Sequence, residues 1–535
     1  MDFIFGTLKT DQLRLLHHGL QHKGLQHAYN ISPQDPIPGQ PVTITINVGQ
    51  SLCVNNLACY YTTDGSIPSG SRGNANNGAS ISLKLTETAW DTPAWGYFEI
   101  WKGEIPAQTD NTIVRYQISA WADDGQEFFA DWPDFKKTIE NAITLTSQKQ
   151  PITEVPFITS EATVFSYSVD SHKGPQWAKD AIIYHIFVDR FYQGDGKKWL
   201  QTKNLHKFFG GTLGGIHDKL DYIADLGVNC IWLSPTWPSP TYHGYDITDY
   251  YKTEERIGGD QALHTLIDDA HKRGIRVILD LVCNHSSNEH PNFLEAEANL
   301  NSKYRNWYTF DDSKLGYDSF FGVKTMPKIN LENPETRAWM FDIAQFWLRE
   351  FDIDGYRLDH ANGVGPTFWA EFRNACRAVK PDAFVFGEIV EGPDDLSKYI
   401  GRLDGTLDFQ LEETLRKTYA WKTMTETEFE RFSKLHTSYF PEDFIMPTFI
   451  DNHDMDRFLH IANNDKEALR RAAEAQFRLP GPPIIYYGTE VGLSQNSGKD
   501  DGQGLEASRL PMLWGADQDS NLLDFYKQLI QARKP

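Results

Sequence analysis

IRVILDLVCNH, residues 275–285, decides how the rest of this chain is read. The run is apolar nearly throughout, carries one carboxylate (Asp280) and leads into Asn284 and His285. Alternation would mark a strand with one wet face, whereas a continuous apolar run marks a strand covered on both faces. The same text recurs at AIIYHIF (181–187), VNCIWLS (228–234), DGYRLDH (354–360), AFVFGEI (383–389), GTLDF (405–409), IMPTFI (445–450) and PPIIYY (482–487). Amphipathic stretches such as DQALHTLIDDAHKRG (260–274) lie between these runs. Eight strand–helix units in succession predict an α/β fold, a (β/α)8 barrel in preference to an open doubly wound sheet. No GxGxxG or GxxxxGK[ST] follows any of the strands, which removes the usual nucleotide-binding alternatives.

Spacing refines the picture. Asp359 and Glu388 are 29 residues apart, one βα unit, but Asp280 and Asp359 are 79 apart. That excess predicts a subdomain, 286–334, inserted after the third strand and overhanging the barrel's C-terminal rim. Upstream of the barrel (177–535) the text changes. PVTITINV (41–48), GYFEIW (96–101) and TIVRYQISAW (112–121) are short β-branched and aromatic runs, and 28–136 reads as a β-sandwich of Ig-like or carbohydrate-binding-like type. Trp95, Trp101, Trp121 and Trp132 there suit either sugar stacking or core packing. Residues 137–176 read as a linker. Residues 1–27 read as an N-terminal extension with a short polar helix, whose HHGLQHKGLQH (17–27) suits a solvated face, metal binding being the alternative.

A net charge of −22 argues against nucleic acid or an anionic membrane as partner. The five cysteines are too scattered for a disulfide framework, although Cys53 and Cys59 are close enough in sequence to pair. MDFIFGTLKTDQLRLL (1–16) lacks a basic start and a sustained apolar run, so a cytoplasmic protein is expected.

In a barrel of this type the C-terminal strand ends converge on one site. Here they carry Asp280, Asn284 and His285, then Arg357, Asp359 and His360, then Glu388, then Asn452, His453 and Asp454. Carboxylates gathered in one pocket cost free energy unless paired, protonated or functional. Glycoside hydrolysis with retention needs such a set, one carboxylate as nucleophile and a second carboxyl as acid, then base, about 5–5.5 Å apart. Asp359 is the expected nucleophile, held ionised by Arg357 two residues earlier on the same strand face. Glu388 is the expected acid/base. Asp454 would bind sugar hydroxyls and favour the distorted ring, with His285 and His453 donating to the same ring.

DLVCNH (280–285), GYRLDHAN (355–362), FGEIVE (386–391) and FIDNHD (449–454) resemble the four motif regions of the α-amylase family of glycoside hydrolases, in its order and spacing. FFGGTLGGIHDKLDYIADLG (208–227) and MPKIN (326–330) are most similar to its neopullulanase, cyclodextrinase and maltogenic amylase group. The resemblance implies cleavage of α-1,4 and also α-1,6 glucosidic bonds in maltooligosaccharides, cyclodextrins, pullulan or starch. A 4-α-glucanotransferase using the same intermediate and a non-catalytic sugar-binding barrel are the alternatives. It implies that His243 and a stacking Tyr245 contact the sugar, as do His360 and Asn452 of the motifs, and that Asp246 binds a terminal glucose with Arg457 as partner. No cofactor is required by that chemistry. Asn284 matches a structural calcium-ligand position of many relatives, while FYQGDGKKW (191–199) lacks the fuller Asp/Asn set of a calcium loop. Gly363, after HAN (360–362), stands where relatives carry Lys-His or Glu for the leaving-group side. NLLDFYKQLIQARKP (521–535) reads as the eighth barrel helix. Relatives usually add a β-domain there, and a homodimer partner or the sandwich is expected to cover the apolar surface.

Overall fold

The computed structural model describes residues 11–130 and 162–534, apart from Gln21, Asp124, Asp195 and Gln201. The N-terminal part is antiparallel. Val42–Gly49 turns Val42, Ile44, Ile46 and Val48 inward and leaves Thr43, Thr45 and Asn47 half-buried, the period-2 pattern of a strand with one face on a core. It pairs with Gly96–Ile105, which pairs with the long strand Ala79–Asp91. Ala79–Asp91 also pairs with Asn56–Thr62, so the two sheets join into one continuous path that ends on Thr112–Trp121 and Glu127–Phe129. All five cysteines are free thiols, Cys53 exposed and Cys59 buried, so the two do not pair.

Part of the stretch read as a linker is structural. Phe165–Val169 forms a further antiparallel strand on Thr112–Trp121, with all five residues buried. Its outward serines look like solvent positions in the sequence. In the fold they meet the barrel helix Pro366–Val379: Ser166 Oγ donates to the Thr367 carbonyl (3.1 Å) and Ser168 Oγ to that of Ala370 (3.5 Å). Phe165, Tyr167 and Val169 face the sandwich core, each side chain contributing about 1.5–3 kcal/mol by burial. The Arg115–Glu371 ion pair (2.9 Å) and the Tyr29–Thr367 hydroxyl contact (3.0 Å) complete this seam. Residues 137–161 of that stretch, Trp132 and residues 1–10 lie outside the described residues.

The C-terminal part is a parallel barrel. Its strands are Ile183–Ile186, Cys230–Leu233, Arg276–Val282, Gly355–Asp359, Phe384–Gly387 and Gly405–Thr406, each beside the next, with Ile484–Tyr486 returning to Ile183–Ile186. The seventh position, expected as a strand over 445–450, closes through two bridges only, Gly405 to Ile445 and Thr448 to Pro483. Pro447, Pro482 and Pro483 withdraw three backbone donors from that seam, which is why no continuous ladder forms. Closure needs glycine: a Cβ on Gly405 would run into the Ile445 carbonyl, and one on Gly355 (φ 153°) into that of Phe384. Between the third strand and the helix Pro334–Glu350 the chain forms the helix Pro291–Ala298 and a set of bridges, among them Tyr308 to Ile329 and Ser319 to Pro327. Ser520–Arg533 is helical and buries Leu522, Tyr526 and Ile530.

Candidate active site

Strand register brings the acidic residues together. Asp280 lies opposite Arg357, Val282 opposite Asp359, and Leu358 opposite Gly387, so Glu388, one residue past the fifth strand, stands at Asp359's level. Arg357 is wholly buried and reaches three carboxylates: Asp280 (2.7 Å), Asp359 (2.9 Å) and Glu388 (2.8 Å). Asp280 is also wholly buried, and its second oxygen accepts from the Trp232 indole (3.1 Å) and the Tyr245 hydroxyl (3.0 Å). It therefore anchors Arg357, while Asp359 and Glu388 face a cavity.

Asp359, Glu388, Asp454, His285, His360, Tyr245 and His243 line that cavity. Phe320 and Met326 from the segment after the third strand, and Leu505, Glu506 and Arg509 from the loop after the eighth, also line it. Arg357, His453 and Asn452 stand behind it. His453 is fully buried, its Nε2 beside the Tyr245 hydroxyl and 3.0 Å from Asp454, with its ring parallel to that of Tyr245. It orients Asp454 and does not line the cavity. The Asn452 side-chain oxygen accepts from the Asp454 N–H (2.8 Å), a turn that aims the carboxylate.

Asp246 is a correction. It is wholly buried away from the cavity, and its carboxylate accepts from the hydroxyls of Ser239 (2.5 Å) and Thr241, locking its own loop. Arg457 does not meet it. That guanidinium donates to the carbonyls of Ser508 (2.8 Å) and Tyr487 (3.0 Å) and stacks on Tyr486. Asn284 is buried with its amide nitrogen donating to His285 Nδ1 (3.2 Å). Calcium takes six to eight oxygens. Among the described residues no group of three His, Cys, Asp or Glu side chains able to hold an ion gathers there, and the Asn284 Oδ1 atom is buried without a hydrogen-bond partner.

The main residue missed by sequence reasoning is Arg509, in an irregular segment with no period to flag it. Its Nη2 donates to Asp454 (2.8 Å), its Nε to the His453 carbonyl (2.8 Å) and its Nη1 to the Tyr242 hydroxyl (3.1 Å). A second missed contact is backbone: the His360 N–H donates to Glu388 (3.0 Å) from a left-handed conformation (φ 42°), a strained geometry of the type that collects at functional sites.

These contacts set the charges. Burial pushes Asp359 and Glu388 above the ordinary carboxyl range; Arg357 pulls both back and neighbouring carboxylates oppose it. Burial also acts upward on Asp454, but His453 and then Arg509 and Arg357 outweigh it and hold that carboxyl well below the ordinary range. Burial, with Arg509 nearby, lowers His243 to about 3, so its imidazole is neutral. The Tyr245 N–H donates to its Nδ1 (3.2 Å), which leaves the ring proton on Nε2. The arrangement can present one protonated carboxyl, one carboxylate and a neutral imidazole donor to a single ligand ring.

Comparison with known proteins agrees with this geometry. The profile of the alpha amylase catalytic domain matches residues 185–535. The chain belongs to the alpha-amylase family. It is 36% identical over 517 residues to Alpha-amylase 2 of Dictyoglomus thermophilum, covering 96% of this chain and 83% of that protein. It is 34% identical to the intracellular maltogenic amylase of Bacillus subtilis over 387 residues, 69% of this chain and 64% of that one. Among solved structures, a cyclomaltodextrinase superposes over 96% of this chain and 84% of its own with a TM-score of 0.64 at 26% identity. The cyclic α-maltosyl-(1→6)-maltose hydrolase of Arthrobacter globiformis in complex with maltose matches 67% of this chain and 84% of its own, with a TM-score of 0.62 at 30% identity. The family resemblance carried by the four motifs is thereby borne out.

Proposed function

We propose that this chain is a retaining glycoside hydrolase that cleaves α-1,4, and also α-1,6, glucosidic bonds in maltooligosaccharides, cyclodextrins and pullulan. The observation that carries the reading is the single guanidinium of Arg357 shared by Asp359 and Glu388, which keeps the two carboxyls close together as retention demands. Arg357 touches both carboxyls, Nη1 on Asp359 and Nη2 on Glu388, and the pair shares one proton, which retention requires on Glu388. Asp359 then attacks the anomeric carbon while Glu388 gives its proton to the departing oxygen. A glucosyl ester on Asp359 results. Glu388, now ionised, takes a proton from water, whose oxygen displaces Asp359 and restores both groups. Asp454, kept anionic by His453 and Arg509, accepts from sugar hydroxyls, and His243 Nε2 donates to one.

The segment 286–334 acts here as a subdomain that brings Phe320 and Met326 over the cavity. The names of the relatives, cyclomaltodextrinase and intracellular maltogenic amylase, support the substrate range and a cytoplasmic setting. The charge of −22 supports action without nucleic acid or an anionic membrane, and no helix among the described residues is long and apolar enough to cross one. A homodimer covering the last helices belongs to the same proposal.

A product time course on maltoheptaose, β-cyclodextrin, pullulan and soluble starch tests it, with Asp359→Asn as the blank. Rapid opening of the cyclodextrin ring with slow attack on starch is expected. Longer products at high acceptor concentration would make the chain a transferase, and no product from any substrate would remove the enzymatic reading. Glu388→Gln should lose about 10²–10⁴-fold in kcat/KM on maltoheptaose, and much less on substrates with activated leaving groups. Because the acid form of Glu388 persists above the ordinary carboxyl range, activity falls on the alkaline side as it deprotonates. That alkaline limb should vanish in Glu388→Gln assayed with an activated aryl glycoside.

A further inference from the structure

We propose that His18, His22 and Asp91 form a binding site for a divalent cation of the zinc type, which clamps the N-terminal helix to the sandwich. The helix Asp11–Leu20 carries His18, and one further turn, with the His22 N–H on the Gly19 carbonyl (3.3 Å), places His22 on the same face four residues on. Asp91 ends the strand Ala79–Asp91 of the sandwich. One ligand atom from each of the three lies within 4.8 Å of the others.

The second contact of each ligand fits coordination. His22 Nδ1 faces the His18 carbonyl at 3.1 Å, and since a carbonyl only accepts, Nδ1 carries the proton and the Nε2 lone pair is turned to Asp91, 3.8 Å away. The Phe98 ring, 4.3 Å from the His22 ring centre, holds that imidazole in place. One Asp91 oxygen accepts from the Ala94 N–H (2.7 Å), leaving the other, Oδ2, towards the histidines. Such outer contacts orient metal-ligating imidazoles and carboxylates. His18 Nε2 lies 2.6 Å from Oδ2. Zinc bonds of about 2.0–2.2 Å in a tetrahedron put neighbouring donors roughly 3.4 Å apart. The short contact must therefore open and the longer ones close, a change within reach of the His18 side chain, the most exposed of the three at 38% against 13% for His22 and 11% for Asp91. Two imidazoles and one carboxylate suit zinc over calcium or magnesium, which take oxygen sets. The open side at His18 leaves the fourth position to water.

Neither histidine lines the catalytic cavity, so the test separates from hydrolysis. The full chain, stripped with chelator, is titrated with zinc chloride by calorimetry, and hydrogen exchange of the helix Asp11–Leu20 is followed with and without zinc. One zinc per chain and slowed exchange in that helix are expected. His22→Ala and Asp91→Asn should each weaken zinc binding by about 10–100-fold or more and abolish the slowing, with hydrolysis of maltoheptaose unchanged as proof of folding. His217→Ala removes a histidine with a single carboxylate partner, Asp269, and should change nothing. Absence of stoichiometric zinc uptake by the wild type, or binding by His22→Ala and Asp91→Asn equal to the wild type, overturns the proposal.

Discussion

Asp359→Asn is expected to lower turnover of maltoheptaose by ~10⁴-fold or more, ~5.4 kcal/mol of barrier, while raising the protein's stability at neutral pH. Both effects come from one carboxylate. The amide keeps the shape and can still accept from Arg357, but it cannot form the glucosyl ester. On stability, the site gathers Asp280, Asp359, Glu388 and Asp454, in and behind the cavity wall, against two cations, Arg357 and Arg509. A buried acid whose folded-state proton affinity exceeds that of the unfolded chain costs stability once pH rises through its unfolded range, and the cost is complete above its folded range. Removing that charge should therefore stabilise the fold by about 0.5–2 kcal/mol, the usual size of a single stabilising substitution. Initial rates and unfolding midpoints at pH 5 and pH 8 check this, with the larger gain at pH 8. Near-normal rates would mean that the nucleophile lies elsewhere.

Arg357→Met should destabilise the protein by about 3–5 kcal/mol, because it leaves buried carboxylates without their shared cation. The sign of the pH dependence is again fixed by the acids. As pH falls, Asp359 and Glu388 take up protons first, and the unpaired charge that the variant cannot neutralise shrinks. The deficit should be largest at pH 8 and smaller towards pH 5, read from denaturant midpoints of variant and wild type side by side. Arg357→Lys should rescue only part of it, since an ammonium lacks the planar fork that spans three carboxylates. A variant as stable as the wild type at pH 8 would show that Asp280, Asp359 and Glu388 are not held by this guanidinium.

Much of the site was legible because barrel chemistry concentrates at strand ends, and strand ends can be counted. Once the apolar runs are aligned, Asp359, Glu388 and Asp454 fall on one rim whatever their side chains touch. Side-chain direction was not legible. Asp246 follows Gly244 and Tyr245 closely in the chain, yet its carboxylate turns back onto Ser239 and Thr241, while Tyr245 lines the cavity. Arg457 and Arg509 are both arginines in the C-terminal third; one braces carbonyls behind the barrel end and the other grips Asp454. Nothing local distinguishes them, since the difference lies in which loop each strand end delivers.

The amino-acid sequence by itself determined the parallel barrel, the antiparallel sandwich before it and the family of chemistry, because hydrophobic period and the order of polar residues at strand ends are one-dimensional signals. Tertiary structure alone decided the rest. Phe165–Val169 pairs with Thr112–Trp121 while its serines donate to carbonyls of a barrel helix. The 445–450 run yields bridges because three prolines meet across its seam. His453 orients Asp454 from behind the cavity, and His18 and His22 find Asp91 from residues 69 or more positions away. Each of these depends on a partner distant in the chain, and a contact of that kind has no period for a sequence to display.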